Sequence, residues 1–155
     1  MPALSASTRQ NGQNVLPLPN AALPEEPLLL LARARNAAFA EAARGNLGQG
    51  LGILEDALQD EPMSHDLLSD MAALLLVAGR HEQAGACAER ALQICPEHGP
   101  SLYTLGFSLS ARGQTERAIE VLTLLQSGPA CDNLRAEAPD LMPVAMTELQ
   151  RLLSR

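Results

Sequence analysis

The sequence predicts an all-α protein: a solenoid of three helix hairpins closed by a C-terminal capping helix. Three observations carry that prediction. Residues recur at a spacing of 34, as in Gly45, Gly79 and Gly113, Gly50, Ala84 and Ala118, Ala57, Ala91 and Leu125, and Pro62 and Pro96. Three copies, at about 31–64, 65–98 and 99–132, follow one another without an insertion. A period of this length marks a repeat architecture, in which each unit buries its apolar face against its neighbours. Finally, apolar residues make up 46% of the chain, yet only Phe39, Tyr103 and Phe107 are aromatic. The core must then be Leu and Ala, which suits closely packed helices.

Residues 1–24 read as a disordered, Pro-rich N-terminal arm, with Pro17, Pro19 and Pro24 among polar residues and no sustained period. A first helix starts between Glu25 and Leu28, runs to Arg44 and stops at Gly45. The second, Leu47 to Gln59, contains Gly48, Gly50 and Gly52 and ends at Glu61-Pro62. Each interior Gly costs roughly 0.8–1 kcal/mol against Ala, so this helix is the weakest.

Ser64 is an N-cap for the third helix, which runs to Ala78 with Gly79 as its stop. The fourth spans His81 to Ile94, the fifth Pro100 to Arg112 and the sixth Thr115 to Gln126. A loop through Pro139 follows, and Asp140 caps a last helix to Ser154. Its Leu141, Val144, Leu149 and Leu152 form an apolar face for the flank of the sixth helix around Ile119 and Leu122. The expected organisation is an arm at 1–24, repeats at 25–132, and a loop with capping helix at 133–155.

Charge and composition narrow the function. Eleven Arg and no Lys oppose 18 acidic residues, a net charge of −7. That argues against nucleic acid, which needs a basic footprint, and leaves a basic or neutral protein partner open. The apolar cluster Leu28 to Ala32 is far too short for a membrane span. Residues 1–24 lack the apolar core of a secretory signal, and three irregularly spaced cysteines make no disulfide framework. A cytoplasmic location is expected.

No catalytic, metal or cofactor set is expected either. The run Gly48-Gln49-Gly50-Leu51-Gly52 lacks the spacing of a phosphate loop, and there is no Lys, so it reads as close helix packing. Cys87 and Cys95 share one helix about 12 Å apart, too far for a disulfide. Zinc spacing in cysteine or histidine is missing, and His65, His81 and His98 fall near helix starts. An enzyme is not expected.

The repeat columns resemble the tetratricopeptide repeat (TPR) family. In the third copy they are Leu102, Leu105-Gly106, Leu109, Ala118, Leu122 and Leu125. Leu68, Met71-Ala72, Leu75, Ala84, Ala88, Ala91 and Pro96 hold them in the second, and Ala34, Ala37-Ala38, Gly50, Leu54, Ala57 and Pro62 in the first. The resemblance covers about 31–132. The large aromatics usual in three family columns are missing, and Glu41 stands where an apolar residue is expected.

The resemblance implies that the first helix of each repeat lines a concave, ligand-holding face. Carried across residue by residue, the partner-binding positions are Arg35 and Phe39, then Ser69, Ala73 and Leu76, then Tyr103, Phe107 and Ser110. The cationic pattern by which some family members clamp an acidic peptide terminus is missing, with only Arg35 able to serve. The implied partner is a protein or peptide with a mostly apolar extended or helical segment; a homodimer stays open. Size, acidity, three repeats and the arm are similar to the translocator chaperones of bacterial type III secretion, which hold an apolar substrate in the cytosol. The alternative is a general scaffold or assembly subunit of a multiprotein complex.

Overall fold

The computed structural model describes residues 25–155. The arm expected at 1–24 lies outside the described residues. Eight helices follow in order: α1 (Glu25–Ala43), α2 (Leu47–Asp60), α3 (His65–Val77), α4 (His81–Ile94), α5 (Gly99–Ala111), α6 (Thr115–Thr123), α7 (Pro129–Glu137) and α8 (Leu141–Leu153). There is no strand among the described residues. The all-α, TPR-like solenoid expected from the period is what the chain forms.

The turns show why the period is strict. α1, α3 and α5 each end in the same motif. The amide of Arg80 donates to the Leu75 carbonyl at 2.9 Å and that of Gly79 to Leu76 at 3.0 Å. Asn46 and Gly45 repeat these two bonds to Glu41 and Ala42, and Gln114 and Gly113 to Leu109 and Ser110. This closure needs a left-handed residue at its turn, and Gly79 has φ +75° and Gly113 φ +74°. Glu41, out of place in an apolar column, accepts from Arg44 at 2.7 Å and from the Asn46 side chain at 2.9 Å, so it braces the first turn.

Helices α1 and α2, α3 and α4, and α5 and α6 form three hairpins. Contacts pass only to neighbours: α1 meets α2 and α3, and no element skips a repeat. Two core clusters result. One joins Ala38, Leu54, Leu67, Leu74 and Ala84 across the first two repeats. The other joins Leu105, Leu109, Leu122, Leu134 and Leu149 from the third repeat to the end. Helices α3 and α5, flanked on two sides, bury residues nearly all round, including Ser69, Asp70, Ser101, Thr104 and Ser108. Helix α4 buries only a stripe, Ala84, Gly85, Ala88 and Ala91.

Small residues set the spacing. A Cβ at Gly106 would stand 2.5 Å from a Leu122 methyl, and one at Gly85 would stand 2.8 Å from the Ser108 hydroxyl. Of the three α2 glycines only Gly50 packs against a neighbour; nothing lies within 4 Å of a Cβ at Gly48 or Gly52. The close-packing expectation therefore holds for Gly50 alone.

Four local expectations need correction. Ser64 caps α3 as expected, accepting from the Leu67 amide at 3.3 Å, but Asp140 makes no side-chain cap bond to α8. α6 ends at Thr123, not Gln126. The stretch expected as loop holds α7, launched by Gly128 at φ +85° and Pro129 in the first turn. The Gly-Pro pair thus starts a helix, after α6 has already ended at Thr123. α7 packs on α5: Leu134 is fully buried against Gly99, and Asn133 Oδ1 accepts the Gly99 amide at 2.6 Å, satisfying an orphan donor of the α5 first turn. α8 packs on α6, α5 and α7 with Ala145, Leu149 and Leu152 buried. Val144 is 46% exposed and takes no part in that seal.

Candidate functional site

The first helix of each repeat carries the candidate surface. Phe39, Ala73 and Phe107 occupy one register position, 34 residues apart, on α1, α3 and α5. Phe39 is 42% exposed, while Ala73 and Phe107 are half-buried. Tyr103 lies one turn before Phe107, and their rings pack with centroids 4.5 Å apart, tilted by 35°. Both rings also rest on the core cluster of the third repeat. Each ring is thus partly in the core and partly exposed. Phe107 opens onto a cleft of about 330 Å³ that Pro143, Val144 and Thr147 of α8 complete.

The remaining expected positions fare differently. Leu76 is half-buried against the first core cluster. Ser69 is buried, because α3 is covered by α1 on one side and α5 on the other. It cannot touch a partner without movement of those helices. The Ser110 hydroxyl is half-buried and donates to Glu148 of α8, which Arg151 also holds at 2.5 Å. The hydrogen bond from Arg151, then that from Ser110, holds the Glu148 carboxyl below its ordinary value.

Arg35 is not a free cation. Its Nε donates to Asp70 Oδ2 at 2.5 Å and its Nη2 to Asp70 Oδ1 at 3.2 Å, and its Nη1 lies 3.9 Å from Asp66. The two-pronged bond is the strong arginine–carboxylate geometry. Burial pushes the Asp70 carboxyl up, against the downward pull of the Arg35 bond. That bond also raises the Arg35 pKa, so the guanidinium stays charged.

Beside this pair sits a polar cluster that sequence spacing does not reveal. His65 and Asp66 open α3, His98 immediately precedes α5, and Glu137 ends α7. His98 is buried, with Nδ1 2.7 Å from Ser101 Oγ and Nε2 3.0 Å from Glu137 Oε2. Its ring meets that of His65 edge-on, with centroids 4.8 Å apart. Burial pushes the His98 pKa down, against the upward pull of Glu137. The register brings only His65, Asp66 and His98 onto successive helices; Glu137, 39 residues beyond His98, falls outside it. The cysteines form no cluster. Cys131 is buried and Cys87 half-buried, and burial pushes the Cys87 thiol up, away from a reactive thiolate.

This architecture is that of a helical repeat solenoid of the TPR type. Residues 87–120, from α4 through α5 into α6, match the family model described as Tetratricopeptide repeat. No curated protein matches the sequence. Among solved structures, the TPR domain of Sgt2 from Aspergillus fumigatus is similar, with TM-score 0.67 and 20% identity over 85% of this chain and 81% of that one. The first TPR of Spaghetti (RPAP3), bound to the HSP90 peptide SRMEEVD, gives TM-score 0.65 and 13% identity over 84% of this chain and 92% of that one. The second TPR domain of human RPAP3, in complex with the HSP70 peptide SGPTIEEVD, gives 0.58 and 13% over 71% and 96%. Together these support a TPR protein. Among the described residues no helix is long and apolar enough to cross a membrane.

Proposed function

We propose that this chain is a non-catalytic protein-binding module that holds an apolar segment of a partner along the inner row of Phe39, Ala73, Leu76, Tyr103 and Phe107. One observation carries the reading. The few aromatics of a Leu- and Ala-rich chain lie on the face formed by the first helices, with Phe39 exposed and the Tyr103–Phe107 pair half-exposed. Aromatic anchors supply large contact area at little cost in rotamer entropy. Val144 extends the row past Phe107 along α8.

Two similar structures hold peptides ending in Glu-Glu-Val-Asp. Arg35 is spent on Asp70 and Asp66, and Glu137 adds negative charge nearby. An acidic terminus would meet repulsion here, so the partner segment is neutral or basic. The size, acidity and three-hairpin organisation support a narrower reading. On it the protein is a cytoplasmic chaperone or adaptor of the type III secretion translocator kind, keeping an apolar substrate from aggregating.

A second reading, an assembly subunit that docks two partners, is favoured by a separate feature. Pro27, Leu30, Leu31 and Ala34 of α1 face Ile53 and Ala57 of α2 across a cleft of about 370 Å³ at the outer end of the solenoid. Leu28, Leu29 and Leu30 are exposed beside it.

Screening peptide arrays with the whole chain, then titrating the tightest peptide, tests the proposal. The expected ligand is apolar and neutral or basic. Its affinity should fall about 30-fold or more, roughly 2 kcal/mol, in Tyr103→Ala or Phe107→Ala. Selection of acidic peptides, or affinity indifferent to both substitutions in folded protein, would overturn it.

A further inference from the structure

We infer that His65, Asp66, His98 and Glu137 form a binding site for a first-row divalent metal ion, zinc foremost, which ties α3, α5 and α7 together. One ring nitrogen each of His65 and His98 and a carboxylate oxygen of Asp66 all lie within 4.8 Å of one another. Asp66 Oδ1 is 3.7 Å from Nε2 of both histidines, and Glu137 Oε2 is 3.0 Å from Nε2 of His98. With zinc bonds of roughly 2.0–2.1 Å, tetrahedral ligand atoms stand about 3.4 Å apart. The separations of 3.0 and 3.7 Å straddle that value. The adjustment falls on His65 and Glu137, whose side chains are 34% and 40% exposed and have room to turn.

The surroundings are arranged as a metal site requires. A histidine that binds through Nε2 carries its proton on Nδ1, and the nearby acceptor sets that tautomer. His98 Nδ1 faces Ser101 Oγ at 2.7 Å, so it donates there once Nε2 is metallated. Asp66 is held from its other side: Oδ2 points to Arg35 while Oδ1 points to the histidines. Asp66, Asp70 and Glu137 against Arg35 leave a net −2 around neutral imidazoles, which a divalent cation offsets. Two imidazoles with two carboxylates suit zinc and its neighbours; calcium and magnesium prefer oxygen alone.

The site would change what α7 does. Without metal, α7 is held to α5 by Leu134, the Asn133–Gly99 bond and the Glu137–His98 bond. With metal, separate bonds from His98 Nε2, its proton held on Nδ1, and from Glu137 to one ion would replace the last of these and link α3, α5 and α7. Binding to the folded chain alone raises its stability by mass action.

The test is titration of the whole chain, stripped with chelator, by zinc in a calorimeter and by cobalt in the visible spectrum. One equivalent per chain is expected, with the intense bands of four-coordinate cobalt and a melting temperature raised by zinc. His65→Gln, Asp66→Asn and His98→Gln should each weaken zinc at least tenfold and Glu137→Gln less. His81→Gln and joint replacement of Cys87, Cys95 and Cys131 by Ser should leave it unchanged. His65→Gln, at a partly exposed position, keeps the test open if His98→Gln fails to fold. The inference fails if the intact chain binds no stoichiometric zinc. It fails equally if binding survives His65→Gln and Asp66→Asn undiminished, or disappears with the cysteines.

Discussion

Gly50 of α2 lies against the main chain of Ala38 in α1, so closely that a Cβ at position 50 would stand 2.6 Å from the Ala38 carbonyl oxygen. Ala38 is fully buried, and the carbonyl is backbone that no rotamer change can move. Gly52, two residues on, would place a Cβ in open space. One helix thus holds two glycines with opposite consequences. Gly52→Ala should stabilise by roughly 0.8–1 kcal/mol, the helix-propensity difference. Gly50→Ala should destabilise by about 1–3 kcal/mol, because forcing α1 and α2 apart outweighs that gain. Urea unfolding of the two variants checks this, and equal shifts of the same sign would refute the packing argument.

The terminal helix seals the third repeat unevenly. Leu149 and Leu152 are 2% and 3% exposed, while Val144 on the same helix is 46% exposed. Leu149→Ala should cost roughly 2–5 kcal/mol, as buried leucine truncations do. Val144→Ala should fall within about 0.5 kcal/mol of wild type, as surface substitutions do. Thermal melts of both give the comparison. A large loss at Val144 would mean it packs more deeply than its exposure implies.

Phe39 is the cleanest probe of the face formed by the first helices, because its ring belongs to neither core cluster. Phe39→Ala should leave stability within about 0.5 kcal/mol of wild type while weakening the partner by more than about 1 kcal/mol. Tyr103→Ala and Phe107→Ala should lower both quantities, since each ring also touches the core of the third repeat. Leu105→Ala, a buried position, should lower stability most, by roughly 2–5 kcal/mol. Paired unfolding and binding titrations would expose the reverse ordering.

Glu148 links α8 to α5 through Ser110 and is held by Arg151 on its own helix. Its folded pKa lies below the ordinary value of 4.5, first through the Arg151 hydrogen bond. A depressed carboxylate binds its proton more readily in the unfolded chain. Its stabilising contribution is therefore present above pH 4.5 and fades as pH falls through the folded pKa. Glu148→Gln should be less stable than wild type at neutral pH, by an amount that shrinks on acidification. The effect is small, since Arg151 lies at the surface where solvent screens it. A gap that stays constant with pH would remove the ion pair from the account.

The arrangement of the hairpins was legible in the sequence because it is written in short-range chemistry. Gly79 and Gly113 end their helices whatever packs around them, since the left-handed turn is a property of the residue. Ala84, Gly106 and Ala118 mark close helix approaches because only a small side chain leaves the space. That Phe39, Ala73 and Phe107 share one position on α1, α3 and α5 also follows from the register. What the register could not weigh was coverage. Ser69 has the same column as Tyr103, yet a short side chain on a helix flanked by α1 and α5 ends up buried.

Other features were decided only by the tertiary structure. α7 is only nine residues long, with a short apolar stripe of Ala130, Cys131 and Leu134, and its place depends on Gly99 leaving room on α5. Arg35 reads as an available cation until the fold sets Asp70 against it, 35 residues away. His65, Asp66, His98 and Glu137 show no metal spacing along the chain, because their approach comes from stacking one repeat on the next. Local sequence dictates where each helix stops and which face it buries. The charges and ligands that meet across the stack are determined by the contact between helices, a three-dimensional quantity that no single stretch of chain encodes.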